Sequence, residues 1–304
     1  MAQPQELSPI LVLGGTGHYG RHIAASLATR VPVRVLSRDK ARARLVLTEP
    51  VAILEGDVTS ERSVADALRG AGGVVISLSA FSPRLIRKQR LIECDSVLMT
   101  LALAEKECVS RIVYLSGYDA REDLPAELDF STGRIKLEIE RALCRSQFNW
   151  TVLGAAPSME IFFAMTKGTR MMVPGGGPPA LPTVSPVDVG EIAAQAVLRE
   201  DLRGQRIRLT GPEALSFREA AARISAVTGK PLRVVKVPLV PLKVAAFVTR
   251  PFNPYLSHLV SAVTLLNRFP QDVAMQVPAD YQRLAVTFDY TATTLEMETR
   301  RRFA

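Results

Sequence analysis

Gly14, Gly17 and Gly20 stand three residues apart in the run ILVLGGTGHYG, with Gly15 as an extra. Glycines at that spacing let a backbone turn sharply, approach a pyrophosphate and pack a helix closely against a strand. Further on, Ser37 and Arg38 close a second apolar run, at the place where a dinucleotide fold that prefers NAD usually carries a carboxylate for the adenine ribose. A guanidinium there can pair with a 2′-phosphate, and the missing carboxylate removes the charge that would repel one. The pattern favours NADPH over NADH. Ser116 and Tyr118, at the end of a later apolar run, are candidates for a hydroxyl beside a bound acceptor.

The elements that must position these residues follow from the hydrophobic period. Residues 10–13 read as a buried strand, and from Tyr19 the apolar residues move to helical spacing at Tyr19, Ile23 and Leu27. The free N–H groups and positive dipole end of that helix suit an anion, and Thr16, His18 and Tyr19 complete the loop before it. Residues 33–36, 51–54, 73–78, 111–115 and 150–153 read as further strands separated by helical segments. The alternation predicts an α/β chain with a doubly wound parallel sheet. The run 73–78 is apolar on both faces, as a central parallel strand is.

Ser60, Ser131 and Ser216 are expected helix caps, the last in a capping box with Glu219, a helix is entered through Ser185-Pro186 with the proline in its first turn, and Gly229 is an expected helix end. A long helical segment is expected from 83 to about 107, and a polar surface loop over 119–130. After residue 153 the texture changes to Gly- and Pro-broken segments. The expected division is therefore 1–153 for the nucleotide-binding part and 154–304 for a smaller lid or substrate part, with 186–210 returning to complete the sheet.

Composition narrows the function classes. Of the 304 residues 47% are hydrophobic and 22% charged, which is ordinary for a soluble globular chain. Cys94, Cys108 and Cys144 form neither a CxxC pair nor an even framework, so free thiols, no metal site and a reducing, cytoplasmic setting are expected. No basic n-region precedes an apolar stretch, and the stretch 251–267 is too polar and short for a membrane span. The charge of +8 gathers partly in Arg84, Arg87, Lys88 and Arg90 and in Arg300 to Arg302. Neither cluster is interleaved with aromatics in a binding module, so solvated faces rather than nucleic-acid binding are expected.

With GGTGHYG at 14–20, LSRD at 36–39, EGDV at 55–58, IVYLSG at 112–117, KLEIERAL at 136–143, WTVLGAAPSME at 150–160, SPVDVGEIAA at 185–194 and LTGPEALSFREAA at 209–221, the chain resembles the NmrA-like, atypical short-chain dehydrogenase/reductase family. The resemblance implies a Rossmann fold with a smaller C-terminal α/β substrate domain, and NADP as the usual cofactor. It places Gly14, Gly17 and Gly20 at the pyrophosphate, Arg38 at the 2′-phosphate, Asp57 and Val58 near adenine, Ser77 facing the cofactor, and Pro157 and Ser158 beside the nicotinamide. Where short-chain dehydrogenases commonly carry Tyr-x-x-x-Lys, this chain has Thr132-Gly-Arg-Ile-Lys136. Thr132 is a poor acid, whereas Lys136 is expected to hold the nicotinamide ribose or orient a water. The arginine that often precedes the family's proline is Ala156 here.

A conjugated acceptor spreads the charge that hydride brings, so it tolerates a weak proton donor. The expected activity is thus NADPH-dependent reduction of a small apolar acceptor of quinone, enone or imine type. Phe81, Tyr118, Met159, Phe162 and Phe163, with Met165 and Met171, are candidates for its pocket, though each also fits a core. The alternative is a non-catalytic NADP(H)-binding regulator that senses redox state for a protein partner. A monomer or homodimer is expected.

Overall fold

The computed structural model describes residues 8–120 and 130–303. The chain runs through β1 (Ile10–Leu13), α1 (Gly20–Ala28), β2 (Val33–Ser37), α2 (Lys40–Val46), β3 (Ala52–Glu55), α3 (Glu61–Leu68), β4 (Gly73–Ile76), α4 (Ser96–Lys106), β5 (Arg111–Gly117), α5 (Ser131–Arg145) and β6 (Asn149–Ala155). It continues through α6 (Ile161–Ala164), β7 (Thr166–Lys167), β8 (Arg170–Pro174), β9 (Leu181–Pro182), α7 (Pro186–Val197), β10 (Gln205–Leu209), β11 (Ala214–Leu215), α8 (Phe217–Thr228) and β12 (Arg233–Val237). The last helices are α9 (Leu239–Thr249), α10 (Pro254–Asn267), α11 (Gln271–Ala274), α12 (Val277–Thr287) and α13 (Leu295–Phe303).

Seven strands form one parallel sheet in the order β10-β6-β5-β4-β1-β2-β3. β1 lies between β2 and β4, with Leu13 opposite both Leu36 and Ile76. Because the strand order reverses there, the loops leaving β1 and β4 diverge and open a crevice at the carboxyl end of the sheet. Every residue of β1 and β4 is buried, which explains their apolar character on both faces. On one face α1, α7 and α12 bring Ile23, Leu27, Ile192 and Leu284 against the sheet. On the other, α3, α4 and α5 bring Leu68, Val97 and Ile139. β10 returns beside β6, with Ile207 opposite Leu153. The remainder gathers around a third core containing Phe162, Phe217 and Ile224.

Local chemistry sets several helix ends. Ser60 accepts from the Ser63 N–H, Ser185 from the Val187 N–H, Ser216 and Glu219 cap each other's backbone, and Gly229 ends α8 at φ +67°. Two expectations are corrected. Residues 83–107 do not form one helix: a 3-10 turn over Ile86–Lys88 and a π-helical turn over Leu91–Asp95 precede α4. Ser131 is not the cap of α5, since Phe130 holds that position and the Ser131 hydroxyl donates to Gln89 Oε1 at 2.9 Å. The expected loop at 119–130 lies mostly outside the described residues.

α1 and α7 meet at Gly190, where an added Cβ would stand 2.6 Å from the backbone carbon and oxygen of His22. Backbone cannot give way as a flexible side chain does. Gly190→Ala is therefore expected to cost about 1–3 kcal/mol and lower the melting temperature. A thermal unfolding curve superimposable on wild type would show that the helices are not held this close.

Candidate functional site

The crevice is the mouth of one continuous cleft of about 2300 Å³. That exceeds the roughly 300–1,000 Å³ of an ordinary small-molecule pocket and leaves room for a dinucleotide with a second molecule beside it.

At one end lies the glycine loop. Gly14 has φ +82°, and a Cβ on it would lie 2.3 Å from the Ser77 carbonyl oxygen, so only glycine lets the β1 and β4 exits approach this closely. A Cβ on Gly20 would stand 2.0 Å from the Gly14 oxygen, so Gly20 serves the packing of α1 on the loop. It is buried and does not line the cleft. Gly17 differs from both. Its Cβ would meet only the Gly14 oxygen, at 3.0 Å, and the residue lines the cleft. No side chain caps the N-terminus of α1. An uncapped helix start beside a backbone with space for a phosphate suits an anion, so the loop fits a dinucleotide pyrophosphate.

The other candidates gather around this loop. Thr16, His18, Tyr19, Ser37, Arg38, Asp57, Val58, Ser77, Pro157 and Ser158 all line the same cleft. Arg38 is exposed at its rim, with Arg42 nearby in the wall. Asp57 accepts from the backbone and hydroxyl of Thr59 at 2.9 and 2.8 Å, fixing the β3 exit. His18 Nε2 lies 2.9 Å from Ser158 Oγ, and the Tyr19 hydroxyl donates to the Ala156 carbonyl at 3.3 Å. These contacts tie the glycine loop to the exit of β6.

Beyond the loop the cleft floor carries Lys136. Its Nζ donates to the Leu115 carbonyl at 2.8 Å and lies 4.8 Å from the centre of the Tyr114 ring. Burial pulls its pKa below the ordinary lysine value, and the Glu93 and Glu140 carboxylates partly offset that pull. Thr132 lines the cleft one turn earlier. Its hydroxyl oxygen accepts from Gln89 Nε2 at 2.7 Å and lies 3.5 Å from His258 Nε2.

Two hydroxyls expected near the acceptor are committed elsewhere. Ser116 donates to Glu140, which also pairs with Arg206 at 2.9 Å. Tyr118 donates to Asp280 Oδ2 at 2.8 Å, and burial together with that carboxylate raises its pKa. Both residues line the cleft, but neither hydroxyl is a ready proton source.

The apolar candidates divide. Phe81 and Met165 line the cleft. Met159, Phe162, Phe163 and Met171, expected in the pocket, pack instead in the third core, where Phe162 stacks edge-on against Phe217 at 5.2 Å. The apolar wall comes from an unexpected place, α10, through Leu259, Ala262, Val263, Leu265 and Leu266. α10 is seated by the Phe81 ring, which lies 5.6 Å from Tyr255 and 5.2 Å from His258.

Sequence reasoning also missed Gln89 and Glu93. Glu93 is 3% exposed, with Oε1 accepting from the Ala80 N–H at 2.5 Å and Oε2 from Gln89 Nε2 at 3.1 Å. The π-helical turn over Leu91–Asp95 contains it. Such turns recur at functional sites, but no spacing rule marks them in a sequence.

Among the described residues no cluster of His, Cys, Asp or Glu is arranged to hold a metal, and no helix is long and apolar enough to cross a membrane.

The NmrA-like family matches residues 6–295 of the chain. An NAD(P)H azoreductase of Xenophilus azovorans is 28% identical over 236 residues, 76% of this chain and 77% of its own. A (4-alkanoyl-5-oxo-2,5-dihydrofuran-3-yl)methyl phosphate reductase of Streptomyces griseus is 31% identical over 229 residues, 74% of this chain and 75% of its own. Among solved structures, an NADPH-dependent quinone oxidoreductase of Escherichia coli complexed with NADPH superposes with a TM-score of 0.74 at 18% identity, covering 97% of this chain and all of that one. The chain belongs to the NmrA-like family and has its Rossmann-type fold.

Proposed function

We propose that this member of the family is an NADPH-dependent reductase of a small, apolar, conjugated acceptor of quinone, enone or imine type. The observation that carries the reading is the length of the cleft. It runs from Arg38 and Asp57 past Gly17 to Lys136 and on under the apolar side chains of α10. A protein that only sensed the cofactor would need the first part and not the second. The reductase names of the curated relatives support the same class of chemistry.

In this reading Gly17 and the start of α1 hold the pyrophosphate, Arg38 the 2′-phosphate, and Lys136 the nicotinamide ribose. NADPH supplies the hydride when bound. The chain contributes alignment and exclusion of water, which for hydride transfer account for much of the rate. Thr132, held by Gln89, is too weak an acid to be the main proton source, and an acceptor that delocalises charge does not need a stronger one.

Two measurements test the reading. Arg38→Ala is expected to weaken NADPH binding by roughly ten- to a hundredfold, about 1.5–3 kcal/mol, while leaving NADH nearly unchanged. Equal wild-type affinities for the two cofactors would overturn the assignment of Arg38. Stopped-flow oxidation of NADPH by a panel of quinones, enones and imines then tests the reaction. Tight binding of both cofactor redox forms, with no acceptor above background, would favour the regulator.

A further inference from the structure

The outer surface of α9 is apolar where a soluble helix is normally polar. Val240, Val244, Phe247 and Val248 recur at helical spacing along one face and are 71%, 57%, 79% and 65% exposed. Phe252, 86% exposed, extends the stripe into the turn before α10. Only Ala246 of α9 is fully buried, against a helix that itself lines the cleft.

The charge along this stretch of the sequence has one sign. From Ala220 to Gln271 the sequence has no aspartate or glutamate, while lysines and arginines recur, Lys243 on α9 and Arg250 at its end among them. Both are exposed. A second group of cations joins them across the fold, since Arg87 Nη2 donates to the carbonyls of Pro251 and Phe252 at 3.2 and 3.3 Å. The exposed Arg84 and Lys88 flank Arg87 in the sequence. This is the basic cluster that stood out in the sequence without a use.

We infer that α9 and the Phe252 turn dock the chain on an anionic lipid bilayer, with the apolar stripe in the interface and the surrounding cations on lipid headgroups. Large apolar side chains rimmed by lysine and arginine bind such surfaces through buried area and charge together. A second copy of the chain fits less well, because a two-fold contact would press the cations of α9 against themselves. A nucleic acid matches the charge but not the aliphatic stripe. The surface places the chamber under α10 close to the bilayer, where apolar acceptors concentrate. It stands independently of what the cleft reduces, so its failure would leave the reductase reading untouched.

Flotation of the 304-residue chain with phosphatidylcholine vesicles, with and without phosphatidylglycerol, tests the surface. Binding is expected to the anionic vesicles, falling by about tenfold or more on neutral vesicles or in high salt. Val244→Asp combined with Phe247→Asp, at exposed positions that leave the core intact, should abolish binding while circular dichroism and melting temperature stay unchanged. Lys243→Glu with Arg250→Glu should weaken it on anionic vesicles only. Failure of the wild type to float with anionic vesicles, or undiminished flotation of the aspartate variant, would overturn the inference. So would a wild-type dimer that the aspartate variant turns into a monomer, which would assign the face to a second copy.

Discussion

Gly17→Val is expected to lower the affinity for NADPH by about a hundredfold or more, near 3 kcal/mol, with little change in melting temperature. The three glycines of the loop fail differently when substituted, and that separates binding from folding. At Gly14 and Gly20 a Cβ would strike backbone at 2.3 and 2.0 Å, so side chains there damage the fold itself. At Gly17 the only near neighbour is the Gly14 oxygen at 3.0 Å, and the remaining directions open on the cleft. A valine there fills the space a phosphate needs next to the uncapped start of α1. Isothermal titration on wild type, Gly17→Val and Gly20→Ala, with thermal unfolding of each, gives the comparison. NADPH binding by Gly17→Val at wild-type strength would move the pyrophosphate elsewhere.

Lys136→Met is expected to lower kcat for the best acceptor by about a hundredfold, whereas Thr132→Val should stay within about threefold of wild type. The ammonium is fixed by the Leu115 carbonyl and faces the cleft, while the threonine oxygen is already occupied by Gln89. The pH profile carries a second signature. Burial holds the Lys136 pKa below the ordinary lysine value, so the ammonium is lost as pH rises through that lowered pKa. The rate should fall on this basic limb, and Lys136→Met should lack the limb. Equal losses for the two variants would instead make Thr132 the proton donor.

The proposed cofactor side of this site is more legible in the sequence than the proposed acceptor side, for a physical reason. A phosphate loop is built from contiguous residues whose types are forced by backbone geometry, so Gly14 to Gly20 announces itself. Helix ends behave likewise: Ser60 and the Ser216–Glu219 pair are local devices. The proposed acceptor chamber is assembled from distant segments. Its roof comes from α10, whose apolar residues read as ordinary helix core, and its buried Glu93 depends on a π-helical turn that composition does not signal. Tyr118 looked like a donor because nothing local shows that its hydroxyl reaches Asp280, 162 positions along. Met159, Phe162 and Phe163 were legible as apolar but not as core or pocket, since that depends on α8 and its Phe217 packing against them.

The roof made by α10 has a kinetic consequence. The proposed nucleotide wall is formed by ends of a continuous sheet, which cannot part without breaking strand pairing, whereas the proposed acceptor wall is a helix seated on Phe81. On the proposed reading, an acceptor lodged under that helix would lie across the inner end of the groove and block the path of a nicotinamide. Ordered binding is then expected, with NADPH entering first and NADP leaving last. Product inhibition reads this directly, with NADP competitive against NADPH and noncompetitive against the acceptor.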